Sequence, residues 1–369
     1  MNQTISVLVV DDSAFMRKLI INFLEEDPAI TVAGFARNGE DALKKAKKLR
    51  PDVITLDVEM PILNGLDALK QIMDEIPTPV VMLSSLTEHG TNQTMEAMEN
   101  GAVDFVAKPS GTISLDLHKI KDELLQKVHS ASRVSVSKLK YKPVEKKKKE
   151  IQAEMPAEAL AGIIHKKASN FQQAKWNFNN PKLICIGTST GGPRALQEVL
   201  SHFPADIKAP ILVVQHMPAG FTKSLAARLN QLCEISVKEA EDGEIIKQGV
   251  AYIAPGGFHL NVRRIGTSLA IHLSEAPPRS GHRPSVDVML ESVSEIPNYD
   301  KICVIMTGMG SDGAKGLVKL KENGNSRAIA ESQNTCIVFG MPKAAIGTNL
   351  VDDVEDLGQI AYSVMKYMP

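Results

Sequence analysis

Two consecutive α/β domains are what this sequence predicts, each with a largely parallel sheet covered by helices, joined by a basic connector. Three observations carry that expectation. The chain has 369 residues, and domains usually span ~100–200 residues. Short runs rich in Val, Ile and Leu alternate with stretches of helical periodicity, as βαβ units do. Charge is also partitioned: residues 1–132 carry 13 Lys and Arg against 20 Asp and Glu, residues 133–180 carry 11 against 4, and residues 181–369 carry 18 against 19. An acidic module, a basic connector and a near-neutral module are differently built segments. The first domain is expected over 1–128, a flexible linker over 129–180 and the second domain over 181–369.

In the first domain the apolar runs are Ile5–Val10, Thr31–Ala36, Asp52–Leu56, Pro79–Leu83 and Val103–Ala107. Such runs suit strands buried on both faces. The spacing of Phe15, Leu19, Ile20 and Phe23 between the first two is helical. The alternation predicts a doubly wound, five-stranded parallel sheet. The connector contains Lys146–Lys149, a run of like charges that reads as solvated chain. Ala157–Ala168 has the pattern of a short helix. From Pro181 the alternation resumes, with Leu183–Gly187, Ile211–Gln215, Ile302–Met306 and Ala328–Glu331 as parallel core strands. Between them, Ser236–Ser274 holds shorter alternating segments broken by Asp242-Gly243 and Pro255-Gly256-Gly257. That predicts antiparallel hairpins inserted in a mainly parallel α/β domain.

Composition excludes several function classes. A net charge of −1 argues against a chain-wide nucleic-acid surface. The four cysteines lie far apart with no C-x-x-C pair, and Cys185 and Cys303 fall inside apolar runs. Buried free thiols in a reducing compartment are expected, rather than disulfides or a zinc site. No apolar run approaches the ~20 residues of a membrane helix, and Asp11 and Asp12 interrupt the N-terminal apolar run before it resembles a signal peptide. A cytoplasmic protein without membrane insertion follows as the expectation.

Open parallel sheets collect function outside the carboxyl ends of their strands. Asp11 and Asp12 follow the first strand, Asp57 ends the third, Ser84 follows the fourth and Lys108 the fifth. Carboxylates without His or Cys suit a hard cation such as Mg²⁺. A cation together with Lys108 can neutralise a phosphoryl group moving onto a carboxylate. Each residue alone has a plainer role: Asp12 or Ser13 would cap the following helix. It is their order and spacing that argue for a site.

These motifs resemble a response-regulator receiver domain over residues 1–125: Val10-Asp11-Asp12, Asp57-Val58-Glu59-Met60-Pro61, Gly65, Ser84-Ser85 and Lys108-Pro109. The resemblance implies phosphorylation of Asp57 by a histidine kinase. It implies Mg²⁺ bound through Asp12, Asp57 and the backbone carbonyl of Glu59, with Asp11 nearby. Ser84 and Phe105 fall at the family's hydroxyl and aromatic switch positions. A cis peptide bond is expected at Lys108-Pro109, since cis bonds belong almost only to proline.

In the second domain Gly187-Thr188-Ser189-Thr190-Gly191 directly follows a strand and precedes a helix. A tight turn there lifts the serine hydroxyl above the sheet, at a helix N-terminus that can hold an oxyanion. The motif alone leaves a phosphate-binding loop open, although Pro193-Arg194 stands where a Walker lysine would. Of nine histidines, His216 follows the strand Ile211–Gln215 and shares the sheet edge with Ser189; His259 and His282 are weaker candidates for a base. Asp312, in the Gly-rich Thr307–Gly313 loop after another core strand, is the candidate orienting carboxylate. A helix cap is its plainer reading. The order Ser, His, Asp differs from that of α/β-hydrolases, but triads are defined by geometry rather than order.

Residues 181–369 resemble the catalytic domain of the chemotaxis protein-glutamate methylesterases. The matching stretches are Ile186–Pro193, Gln215-His216-Met217-Pro218, Tyr252–Gly256, His282-Arg283-Pro284-Ser285-Val286-Asp287 and Thr307-Gly308-Met309-Gly310. The resemblance implies Ser189 as nucleophile, His216 as base and Asp312 as its partner. Backbone amides at Thr190 and Met309 would face the oxyanion, and the His282–Asp287 region, Arg283 included, would line the substrate cleft. It implies demethylation of glutamate γ-methyl esters on methyl-accepting chemotaxis receptors, deamidation of receptor glutamines, a chemotaxis histidine kinase as phosphoryl donor, and no cofactor for the hydrolysis. A response regulator with a nucleic-acid-binding output is the rival. The neutral charge of 181–369 and the lack of a helix-turn-helix pattern count against it.

Overall fold

The computed structural model describes residues 4–109, 114–139 and 176–369; the Lys146–Lys149 run and the Ala157–Ala168 helix expected above lie outside them. The N-terminal domain runs β1 (Ile5–Val10), α1 (Ala14–Glu25), β2 (Ile30–Ala36), α2 (Gly39–Leu49), β3 (Val53–Asp57), α3 (Gly65–Glu75), β4 (Val80–Ser84), α4 (Glu88–Glu99), β5 (Asp104–Ala107) and α5 (Ser114–Ala131). Its five strands are parallel in the order β2-β1-β3-β4-β5. Every residue of β3 and β4 is buried, which is why both read as mainly apolar runs rather than alternating ones, with the polar Asp57 and Ser84 at their carboxyl ends. The helices start where side chains satisfy free N-terminal amides. Ser13 caps α1, Asn38 caps α2, Asn64 caps α3 and Thr87 caps α4. Ser13 thus takes the capping role, which leaves the Asp12 carboxylate to the strand edge.

The C-terminal domain runs β6 (Lys182–Thr188), α6 (Gly192–Leu200), β7 (Ile211–Gln215), α7 (Phe221–Leu232), β8 (Ser236–Glu239), β9 (Val250–Ile253), β10 (His259–Ile265), β11 (Ser268–Ser274), α8 (Val286–Ser294), β12 (Asp300–Ile305), α9 (Ala314–Glu322), β13 (Ser326–Glu331), α10 (Met341–Gly347), β14 (Asp353–Glu355) and α11 (Leu357–Met365). Seven strands form one parallel sheet in the order β14-β13-β12-β6-β7-β9-β8, and β10 with β11 forms a separate antiparallel hairpin. The central β6 and β7 are buried along their whole lengths.

The structure corrects three expectations. Within Ser236–Ser274 the expected antiparallel hairpin is β10 with β11, but β8 and β9 pair parallel at the edge of the main sheet. The turn signal at Asp242-Gly243 does begin an antiparallel pairing, but its partner is β11. Gly243 N–H donates to the Ile271 carbonyl and Ile246 N–H to the Leu269 carbonyl, and the chain then returns to the sheet in its original direction. The cis peptide bond lies at Arg283–Pro284, and Lys108–Pro109 is trans. Proline lowers the cost of a cis bond, but most X–Pro bonds remain trans. Finally, the expected linker is built structure at its start. Residues 129–131 complete α5, Val136–Lys138 form a 3₁₀ turn, and Val134 and Leu139 are buried.

The two domains meet over α4, β5 and α5. Arg228 on α7 grips Glu99 on α4 through two bonds of 2.6 and 2.8 Å. The Thr91 and Ser224 hydroxyls lie 2.8 Å apart. The Phe105 and Phe221 rings pack at a tilt of 33° with centroids 4.4 Å apart. Lys138 donates to the carbonyls of Gln333 and Cys336.

Candidate active site

Strands β12, β6 and β7 are neighbours in the sheet. The chain leaves β6 toward β7 on one side and later returns to β12 on the other. A crevice opens at such a reversal of strand order, outside the carboxyl ends. Ser189 follows β6, His216 follows β7 and Asp312 lies in the loop after β12, so the topology brings all three to that crevice.

The Ser189 turn is held by its backbone. Ser189 N–H donates to the Thr307 carbonyl at 3.0 Å, and the Ser189 carbonyl accepts from Gly192 N–H at 2.7 Å. Gly191 takes φ 78°, in the left-handed region that favours glycine. A Cβ on Gly308 would stand 2.8 Å from the Ser189 Cβ, so the Gly-rich loop after β12 is glycine where it presses on the serine.

His216 and Asp312 form the polar centre. His216 Nε2 lies 2.8 Å from Asp312 Oδ2. The ring therefore donates from Nε2, and Nδ1 carries the lone pair. That Nδ1 is buried and has no hydrogen-bond partner among the described residues. Asp312 also accepts from the Ser285 hydroxyl at 2.8 Å and from the amides of Val286 at 2.7 Å and Asp287 at 2.9 Å. Burial pushes its carboxyl up, but the His216 contact and these amides outweigh it and hold the pKa at about 2. The capping reading of Asp312 is thus partly right, but the helix it caps is α8, not α9, which follows it.

Ser189, Thr190, His216, Met309 and the His282–Pro284 segment line one cleft of about 490 Å³. His282 stacks flat on His216, with centroids 3.8 Å apart and planes 7° apart. Burial, followed by the repulsion that a second charge would meet beside His216, lowers the pKa of His282 to about 4. His282 is therefore a neutral plate against the His216 ring. Arg283 lines the cleft, while its guanidinium donates to the carbonyls of Glu275 and Ala276 and ties down its own loop. His259 is not brought to this cluster; it starts β10 and contacts the Pro277 carbonyl. The far wall belongs to the N-terminal domain, through Asp104, Glu123, Gln126, Lys127 and Ser130. Thr190 Oγ1 donates to Asp104 Oδ2 at 2.6 Å, and the Ser130 hydroxyl donates to the Met309 sulfur.

A second cluster sits at the carboxyl edge of the N-terminal sheet. Lys108 Nζ lies 2.7 Å from Asp57 and 2.9 Å from Asp11. Carboxylate oxygens of Asp11, Asp12 and Asp57 lie within 4.8 Å of one another. Burial raises the Asp57 pKa to about 6 against the opposing pull of Lys108. Clustered hard oxygen donors with an energetically strained charge fit a small divalent cation. The Glu59 amide donates to Asp57 at 3.3 Å, which brings that loop over the carboxylate. The Ser84 hydroxyl donates to the Gly90 carbonyl of α4, and Phe105 sits in the domain interface beneath Lys127, 4.9 Å from its ring centre.

Residues 184–364 match the model of the CheB methylesterase family, and residues 7–118 match the response regulator receiver domain. A Halalkalibacterium halodurans protein named protein-glutamate methylesterase/protein-glutamine glutaminase is 56% identical over 366 residues, covering 99% of both chains. The Bacillus subtilis protein of that name is 48% identical, with 98% of this chain and 97% of that one covered, and a Pyrococcus horikoshii one is 42% identical, with 99% and 94% covered. The crystal structure of the Thermotoga maritima CheB methylesterase catalytic domain is 46% identical, covering 50% of this chain and 97% of that one, with a TM-score of 0.49. The chain belongs to the CheB methylesterase family. Gln215, Ser285 and His282 all lie in the motif stretches, but residue type and spacing alone give no sign of what these side chains contact. The structure shows their contacts. Asp104, Lys127 and Ser130 had no signal in the sequence at all, because they reach the cleft from another domain.

Proposed function

We propose that this chain hydrolyses glutamate γ-methyl esters, and deamidates glutamines, on the signalling helices of methyl-accepting chemotaxis receptors, under control of phosphorylation at Asp57. The single observation that carries the reaction is the His216–Asp312 contact of 2.8 Å, which leaves His216 Nδ1 available as a proton acceptor in the cleft that Ser189 also lines. Ser189 Oγ attacks the ester carbonyl carbon while its proton passes to His216 Nδ1. Asp312 stabilises the resulting imidazolium and stays ionised itself. The oxyanion faces backbone amides at Thr190 and Met309. His216 returns the proton to the departing methoxide oxygen and methanol leaves. Water then attacks the acyl-enzyme with His216 again as base, giving the glutamate and free Ser189. With a glutamine substrate the same steps release ammonia.

In the N-terminal domain Asp12, Asp57 and the Glu59 carbonyl, with Asp11 nearby, would hold Mg²⁺. When bound it supplies charge neutralisation for a phosphoryl group arriving from a chemotaxis histidine kinase. Lys108 supplies the same from the protein. Among the described residues no helix is long and apolar enough to cross a membrane, and the enzyme acts from the cytoplasm on receptor helices. The test is methanol release from methylated receptors, with and without a phosphoryl donor. Ser189→Ala is expected to lose on the order of 10⁶ in turnover and keep its fold. Retention of a tenth of wild-type release by Ser189→Ala would reject Ser189 as nucleophile.

A further inference from the structure

Strands β6 and β7 are in register as far as Thr188 opposite Gln215, and one further backbone bond joins His216 N–H to the Thr188 carbonyl. Beyond that point the chains part into two turns, one bearing Ser189 and one bearing His216. Backbone pairing no longer fixes how these turns sit relative to each other. One side chain spans the gap. Gln215 is 3% exposed. Its Oε1 accepts from the Thr188 hydroxyl at 2.6 Å, and its Nε2 donates to the Ser189 carbonyl at 3.0 Å and to the His216 carbonyl at 3.1 Å. A primary amide has two N–H donors, and both go to the carbonyls of the two reacting residues. Burying an amide is costly unless it is bonded in this way. The turn is also shaped around it: a Cβ on Gly192 would come within 1.8 Å of Gln215 Oε1.

We infer that Gln215 is a positioning residue for the hydrolysis, locking the Ser189 turn to the His216 turn at the separation that proton transfer needs. The inference rests on Ser189 and His216 acting as nucleophile and base. Glutamate at this position would keep the shape but place an oxygen against two carbonyl oxygens. Methionine would keep the volume and lose all three bonds. Both variants release the two turns from each other without touching substrate, and misplacement by about 1 Å costs on the order of 10²-fold. Gly192→Ala should mimic them by displacing the amide.

The experiment uses the full-length chain with methylated receptor, and a fluorophosphonate to count reactive serines. Gln215→Glu and Gln215→Met are expected to lower kcat per labelled site about 10–100-fold, with KM within about twofold and far-UV circular dichroism unchanged. Fluorophosphonate labelling should slow in parallel, and Gly192→Ala should give the same split. A merely structural glutamine would reduce the number of labelled sites and leave kcat per site alone. That result, or either variant retaining more than half of wild-type kcat per site, or a rise in KM with kcat unchanged, overturns the inference. Ser189→Ala run alongside checks the underlying assignment separately: if it still labels or turns over, the assignment of the site itself fails, and this inference with it.

Discussion

Asp312 and Asp287 each cap the other's helix. Asp312 takes the amides of Val286 and Asp287 at the start of α8, and Asp287 takes those of Gly313 and Gly316 at the start of α9. Only Asp312 reaches His216. The His216 contact, helped by the amides, outweighs burial and holds Asp312 charged, whereas burial raises the carboxyl of Asp287 despite its own two amides. Asp312→Asn should therefore cost on the order of 10⁴ in kcat, as the equivalent change does in a serine protease, with Asp287→Asn far milder in turnover. Methanol release by the two variants checks this, and the reverse ranking would reassign the carboxylate. His282 allows a pH prediction. Its folded pKa of about 4 lies below its ordinary 6.5, so the unfolded chain binds a proton first as pH falls. Its contribution to stability is complete above pH 6.5, declines between 6.5 and 4, and declines no further below 4. At about 1.4 kcal/mol per unit, the loss is at most about 3.5 kcal/mol. His282→Gln should flatten that part of the profile, seen as a Tm difference from wild type that shifts in the variant's favour between pH 7 and 4. A difference independent of pH would reject the depressed pKa.

At the scale of the element, β6 and β12 are joined at the end remote from the crevice by Lys182 and Asp300, which are 1% and 2% exposed and 3.1 Å apart. Lys182 Nζ also donates to the carbonyls of Asn177 and Asn180 and lies 4.7 Å from the Trp176 ring. Removing one partner of a buried pair leaves an uncompensated charge, at a cost of about 3–5 kcal/mol. Asp300→Ala should lower stability by that order in urea unfolding while leaving kcat of the folded enzyme near wild type. Loss of turnover without loss of stability would contradict it. The elements themselves were largely legible in the sequence. The apolar run Ile211–Gln215 is β7 to the residue, and Leu183–Gly187 misses β6 by one residue at each end, because fully buried parallel strands have no polar face to blur them. That Ser189, His216 and Asp312 would meet at one crevice was legible for a related reason: parallel strands bring their carboxyl ends to one edge. β8 and β9 were misread because short alternating segments show a half-exposed strand but not its direction. Gln215 stood in plain sight, yet nothing in sequence tells a buried amide that bridges two turns from one that solvates a strand end.

The whole molecule adds what neither domain contains. Asp104 on β5 accepts a hydrogen bond from Thr190, the residue after Ser189, and is held by Lys127 at 3.2 Å. Phe105, the next residue, presses on Phe221 at the start of α7, just beyond the His216 turn. The N-terminal domain thus both walls the cleft and grips the turns on either side of it. On the proposed function, a receptor helix would have to displace that wall to reach Ser189. Phosphate on Asp57 would act through Ser84, whose hydroxyl bonds to α4, and through Phe105. The same helix carries Glu99, whose paired bonds to Arg228 lie away from the cleft. Glu99→Arg sets two guanidiniums against each other and should loosen docking without altering Ser189, His216 or Asp312. A docking free energy of ~1–3 kcal/mol corresponds to ~5–150-fold in activity. Unphosphorylated Glu99→Arg should therefore turn over methylated receptor several-fold faster than the unphosphorylated wild type, and gain correspondingly less from a phosphoryl donor. Pairing it with Arg228→Glu restores opposite charges and should return the low basal rate. If Glu99→Arg leaves basal turnover unchanged while light scattering or small-angle scattering shows the domains apart, release is not what limits the enzyme, and phosphorylation must instead act through contacts formed only afterwards.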